Sequence, residues 1–266
     1  MPVPAPLSRP VPSARPAAIA ALVALAAAGL LATPAAADPR LDEVVYSPYV
    51  ESHTLELEAR EAHQNGGSLR GSNTLVTEVE YGVNDRLSLA LVVTDEKPTD
   101  DTSRTTGVGL EGIAYLGRIP GIGVDAGLYL EYTAGQNGES DGGEAKLLLA
   151  KTQGRFQGLV NLIAERPFHA PPGEGYASYG YAASATWRTI GRLRLGVEAF
   201  GDLGDDHGLL PRRQGAYLGP QLKWEGHPRG APVSIVVDAG WLAAVGPSRQ
   251  EGRTQTRLSV ELERHF

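Results

Sequence analysis

The 266 residues include no cysteine. Neither a disulfide nor a lipid-modified N-terminal cysteine can therefore anchor the chain, and its stability must come from packing and backbone pairing. Long apolar runs are equally scarce. Beyond residue 37 none approaches the roughly 20 residues that a membrane-spanning helix needs, and helical periodicity is hard to find anywhere. Positive charge is short as well, with 24 Lys and Arg against 31 Asp and Glu. That balance excludes nucleic acid as a natural partner, because phosphate binding requires a basic face.

What the sequence does have begins at its N-terminus. Residues 1–16 carry Arg9 and Arg15 and no acid, and an apolar run from Ala17 to Ala32 ends in Thr33-Pro34-Ala35-Ala36-Ala37. This is the pattern of a secretory signal peptide over 1–37, with Ala35 and Ala37 satisfying the small-residue cleavage rule. The expected mature chain starts at Asp38, exported by the general secretory pathway. It holds 22 basic against 31 acidic residues, a net charge of −9.

The mature chain alternates with period two, the signature of strands with one apolar and one polar face. Seven segments are clear: 54–60, 75–81, 87–93, 124–132, 193–199, 233–239 and 258–263. Five weaker ones lie at about 106–116, 143–152, 156–166, 176–188 and 216–225. Pro220 interrupts the last of these and is expected to mark a bulge, since proline cannot donate to a ladder.

Twelve strands result, and their connections alternate in length. The long ones are 64–73, 95–105, 133–142, 167–175, 203–215 and 243–253; the short ones are 84–86, 117–123, 153–155, 189–192 and 226–231. An even strand count with short turns on one rim and long loops on the other predicts an all-β fold, a closed antiparallel transmembrane β-barrel of up-and-down topology over 51–266. Residues 38–50 are expected to form an N-terminal periplasmic segment.

Aromatic residues separate this fold from a soluble sandwich. On the apolar face Tyr81, Phe156, Trp187, Trp224 and Phe266 fall near the short-turn rim, and Tyr132, Tyr179 and Trp241 near the long-loop rim. Two such girdles around a Leu, Val, Ala and Ile band suit a bilayer, whose interfaces favour amphipathic rings.

The opposite face predicts a polar lumen. Its expected acids are Glu56, Glu58, Glu78, Glu80, Glu111, Asp125, Glu131, Glu165, Glu198, Asp202, Asp238, Glu261 and Glu263. Its expected bases are Arg60, Lys146, Arg188, Arg194, Lys223 and Arg257. Thirteen acids against six bases favour cations over anions in that space. The same charges could instead pair across strands and simply fill the barrel, because twelve strands lie between barrels that side chains fill and wide porins.

The C-terminal Phe266, following Leu258, Val260 and Leu262 on one face, resembles the terminal assembly signal of bacterial outer-membrane barrel proteins. Arg264 departs from that pattern, where the family carries an aromatic or apolar residue. The stretch Val45-Tyr46-Ser47-Pro48-Tyr49-Val50-Glu51 is similar to the start of putative transporter barrels of the phenol meta-pathway type. The resemblance implies a location in an outer membrane of the Gram-negative type, contact with lipid bilayer and lipopolysaccharide, and delivery by periplasmic chaperones and the barrel-assembly machinery.

Signals for chemistry are weak. Gly107-Val108-Gly109-Leu110-Glu111-Gly112 matches a dinucleotide fingerprint in letters, but a strand follows where a helix N-terminus must receive the phosphates. Asp100-Asp101 and Gly204-Asp205-Asp206-His207 lack the spacing of a calcium loop, and no zinc-type histidine pair exists. Ser52-His53 and Ser178 lack a partner and an orienting group, and no nucleophile elbow is present. The expectation is a barrel with no catalytic residues, no cofactor and no metal, acting as a cation-preferring channel or transporter for small solutes. The alternatives are a non-conducting structural or surface-binding barrel and, third, a membrane-embedded lipid hydrolase.

Overall fold

A computed structural model describes residues 40–170, 175–209, 211, 214–228 and 231–266 of the chain; the signal peptide expected over 1–37 lies outside them. Thirteen strands occur in the order β1 Thr54–Asn65, β2 Asn73–Asn84, β3 Leu87–Lys97, β4 Arg104–Ile119, β5 Val124–Gly135, β6 Asp141–Gln153, β7 Phe156–Phe168, β8 Ser178–Arg188, β9 Leu193–Asp205, β10 Gly208–Leu209, β11 Ala216–Gly226, β12 Ser234–Val245 and β13 Thr254–His265. Twelve of them run the height of the molecule, while the two-residue β10 only extends the hairpin above β9. No helix among the described residues is long and apolar enough to cross a membrane, which says nothing about crossing by strands.

Each spanning strand is antiparallel to its neighbours in the sequence, and β1 pairs with β13 from Thr54↔His265 to Asn65↔Thr254. The sheet therefore closes on itself. A closed barrel leaves no edge and satisfies the backbone polar groups of its wall without water. Short turns are built by local chemistry: Asn84 Oδ1 accepts the Arg86 amide at 2.8 Å, turning β2 into β3.

The strands exceed the expected segments at the long-loop rim. β3 continues through Asp95-Glu96-Lys97 and β4 starts at Arg104, so the expected 95–105 loop shrinks to 98–103. Beyond an apolar band the outward face has no reason to be oily, so alternation fades there although hydrogen bonding continues. Pro220 marks no bulge. Its ladder to β9 is continuous through Pro220↔Val197, and the β12 side merely skips Gly219 and Pro220 without a register shift. Register shifts occur instead at Gly82/Asn84, Thr94/Asp95, Tyr115/Gly117 and Tyr179/Gly180.

Burial is inverted relative to a soluble protein. Leu91, on the outer wall, is 62% exposed, whereas inward Lys146 is 3% and Glu111 2% exposed. Outward leucines and valines of this kind recur on ten of the twelve long strands, among them Leu57, Leu110, Leu130, Leu162, Leu195, Leu218 and Leu258, while β8 and β12 present Trp187 and Trp241 instead. An exposed apolar band of that extent is stable only in an apolar solvent.

Candidate functional site: a threaded lumen

Residues 40–53, which include most of the stretch 38–50 expected as the N-terminal periplasmic segment, thread the cylinder. Arg40 sits in the long-loop half. Its Nε donates to Asp202 Oδ1 at 2.8 Å and its Nη1 to Glu165 Oε1 at 2.8 Å. Glu43 Oε1 meets Lys146 Nζ at 2.6 Å, and Lys146 also reaches Glu144 Oε2 at 3.1 Å. From the opposite wall Arg257 Nη2 donates to the backbone carbonyls of Arg40 and Glu43, both at 2.6 Å.

The middle of the segment is held by the barrel's interior as a strand is held by its neighbour. Asn161, fully buried, accepts the Tyr46 amide at 2.7 Å and donates to the Tyr46 carbonyl at 2.9 Å. Without this amide the two backbone groups would be left unpaired away from water, at roughly 1–3 kcal/mol apiece. Val45 packs on Ile163, Ala182, Phe200 and Leu242. Tyr46 and Val50 pack on Ile113, Tyr129 and Leu148. Lys146 Nζ lies 4.6 Å from the ring centroids of both Tyr46 and Tyr129, which adds cation–π attraction to its ion pairs.

Toward the short-turn end Tyr49 donates to Asp125 Oδ2 at 2.9 Å, while Tyr115 donates to Asp125 Oδ1 at 2.8 Å. The segment leaves the lumen where the His53 amide bonds the Gly82 carbonyl at 2.8 Å, and β1 begins directly after. Two inward glycines clear its path. A Cβ at Gly127 would come within 2.8 Å of Pro48 Cβ, and one at Gly180 would collide with the Arg40 guanidinium.

Most of the expected luminal acids, joined by Glu144, fall into two groups. On β4–β7 the register sets Glu111, Glu131, Glu144 and Glu165 side by side. Arg40 and Lys146 hold Glu165 and Glu144, and Tyr129 Oη lies 2.6 Å from Glu111 Oε2 and 2.7 Å from Glu131 Oε2. On β13–β1–β2 two rows form: Glu263, Glu56 and Glu80 in one, Glu261, Glu58 and Glu78 in the other. There the one ion-paired base among the described residues is Arg60, its Nη1 lying 2.7 Å from both Glu58 Oε2 and Glu78 Oε2, while Ser234 Oγ donates to Glu263 Oε2 at 2.6 Å.

The other expected positions are spread around the wall. Asp238 accepts from Gln221 Nε2 at 2.8 Å and lines a cavity with Lys223 and Glu198. Arg194 bonds Thr186 Oγ1 at 3.0 Å, and Arg188 is solvent-exposed at its strand end. Outside, Tyr81, Tyr132, Phe156, Trp187, Trp224 and Trp241 are exposed, Tyr179 is half-buried, and Phe266 is exposed at the C-terminus.

Sequence reasoning missed Glu43 and Glu144, and it missed Arg40, Tyr46 and Tyr49 as contributors to the site. Glu144 shares parity with Lys146, so extending the weak 143–152 strand by its own alternation finds it. The threaded segment has neither period, so nothing in its letters marks it as enclosed.

Of the weaker signals, Asp205, Asp206 and His207 do cluster, all exposed, with His207 Nδ1 3.0 Å from Asp206 Oδ1. Ser52 Oγ lies 2.6 Å from His53 Nδ1. Among the described residues no carboxylate hydrogen-bonds that imidazole, so the third group of a triad is not supplied. The Gly107–Gly112 stretch lies within β4.

The architecture defines the class: a closed twelve-stranded barrel of the outer-membrane type, and the solved structures it resembles are outer-membrane β-barrels. The COG4313 outer membrane channel from Pseudomonas putida F1 is similar at a TM-score of 0.53 and 16% identity, over 86% of this chain and 99% of that one. At that identity the likeness is one of fold. Looser likenesses are to LpxR from Salmonella typhimurium (TM-score 0.41, 10% identity, 79% of this chain and 100% of that one) and to the outer membrane channel DcaP of Acinetobacter baumannii (0.32, 7%, 80% and 96%). No protein-family model matches the sequence, and no curated relative does.

Proposed function

We propose that the protein is an outer-membrane channel for small solutes, preferring cations, whose passage is closed in the observed state by its own N-terminal segment. The observation that carries this is the segment 40–53: it fills the lumen yet joins the wall through side-chain contacts rather than a continuous ladder, so it can leave without breaking the barrel. The inward excess of carboxylates supports the cation preference. The short turns then face the periplasm and the long loops the cell surface, where lipopolysaccharide is the natural contact.

Planar-bilayer recording tests it. The mature protein should conduct little, and a variant lacking residues 40–50 should open a cation-selective pore, its folding verified by heat-modifiable gel migration. A folded deletion variant that stays silent, or one whose reversal potential marks anion preference, overturns the proposal. The alternative is a non-conducting structural barrel, favoured by the buried ion pairs of Arg40 and Lys146 that pack the long-loop half. The silent outcome would establish it. The Ser52–His53 contact alone gives a lipid hydrolase no orienting acid, and the proposed role is not enzymatic.

A further inference from the structure

Between the threaded segment and the β13–β1–β2 wall lies a cavity of about 140 Å³, roofed by Tyr46 and Ser47. Glu56, Glu58, Glu78, Glu80 and Glu261 face it, and Lys223 is the one base among its lining residues. Arg60, outside the lining, is already bonded to Glu58 and Glu78. Carboxylates placed directly opposite one another across strands destabilise a sheet unless something positive sits between them.

Two independent observations say that the missing partner is a ligand. Gln221, only 6% exposed, lines the same cavity; its Nε2 is bound to Asp238, and its Oε1 has no donor. Glu111, 2% exposed and behind the lining rather than in it, leaves Oε1 without a donor and comes together with Glu78 and Glu80, which do line the cavity. A buried acceptor with nothing to accept from is costly and rare. Here both acceptors accompany an acid cluster.

We infer that this cavity binds a hard divalent cation at its β13–β1 margin, where Glu56 and Glu261 line it and Glu263, which accepts from Ser234 through one oxygen, stands beside them as the third principal ligand. Carboxylate oxygens of these three lie within 4.8 Å of one another. An ion bound to oxygens at about 2.3–2.6 Å bridges such a spacing, and calcium accepts 6–8 oxygen ligands in flexible geometry. The donor set is oxygen alone, which disfavours softer transition metals. The volume leaves room for water to complete the shell. Because the threaded segment forms the roof, the ion would sit against it and bind most tightly while the segment is in place. The inference is independent of whether the barrel conducts.

Calorimetric titration of CaCl2 into the mature protein, refolded in detergent without lipopolysaccharide and stripped with EDTA, tests it. One saturable site per chain is expected, together with a thermal midpoint that rises in calcium and falls back on chelation. The combined change Glu56→Gln, Glu261→Gln, Glu263→Gln should abolish the site, and Asp205→Asn with Asp206→Asn on the exposed loop should leave it intact. Should the triple variant not give the folded gel band, Glu261→Gln alone must weaken binding. No saturable heat in the wild type, binding that survives the triple variant, or binding lost only with the loop pair overturns the inference. So does an infrared band of protonated carboxyl groups at neutral pH that calcium leaves unchanged, since protons would then be the occupants.

Discussion

The two walls of the lumen use the same residue types to opposite ends. On the β6–β9 side acid meets base: Glu165 and Asp202 of the wall hold Arg40 of the threaded segment, while Glu144 of the wall and Glu43 of the segment hold Lys146. On the β13–β1–β2 side acid faces acid in two rows, with Arg60 bonded to Glu58 and Glu78 in one row and paired with no acid in the other. The first wall is a clamp whose charges are spent on one another. The second keeps unspent charge beside empty space. Buried ion pairs are poor evidence of stability in general, but removing one partner of such a pair is reliably damaging, so the walls should respond differently to the same chemical change.

The absence of cysteine gives a clean background for measuring this, because a single Val45→Cys reports through maleimide labelling how often the threaded segment leaves the lumen. The largest effect is expected from Arg257→Met, which removes the charged donor to the Arg40 and Glu43 carbonyls and the cation 3.9 Å above the Phe200 ring. Two such bonds together are worth on the order of 3 kcal/mol or more, so labelling should accelerate about a hundredfold. An unchanged rate would mean that Arg257 does not hold the segment.

Glu165→Gln should act in the same direction but less. It weakens one arm of the Arg40 fork and leaves Asp202 in place, costing about 1.5–3 kcal/mol and raising labelling roughly tenfold or more. Glu80→Gln, on the other wall, should reverse the sign. With EDTA present it relieves repulsion from Glu56 opposite, and the thermal midpoint should rise, by an amount matching roughly 0.2–1 kcal/mol. If both Glu→Gln changes lowered the midpoint alike, the contrast between the walls would not exist.

The barrel itself was legible in the letters because a wall between lipid and a polar interior forces strict alternation. β1, β2, β3 and β5 show that alternation and fell where it placed them. The less regular strands, β6 to β8 above all, mix alanine and glycine into both faces, so they were found by their turns more than by their pattern. Luminal acids such as Glu78 and Glu111 followed from parity alone. The threaded segment did not, since Arg40, Glu43 and Tyr46 are placed by contacts with residues more than a hundred positions away, as in the Tyr46–Asn161 pair. Irregular backbone enclosed by a barrel carries no period, and its hydrogen-bond partners cannot be read from its neighbours. Gln221 escaped for the same reason: a neutral amide on an inward face draws notice only when its oxygen is seen to lack a donor.

β1 leaves the enclosed segment at Thr54, and its other partner is β13, the last strand of the chain. The seam of the cylinder is thus also the join between the earliest and the latest strand to be made, and the final zippering must bring Glu56 against Glu263 and Glu58 against Glu261. Like charges directly opposite one another oppose pairing, so this seam is expected to be the slow one to close. Glu261→Gln with Glu263→Gln should therefore refold faster than the parent, followed by the appearance of the heat-modifiable band; equal rates would place the slow step elsewhere. Faster refolding of that pair would put the threading of the first residues ahead of the closing of the wall.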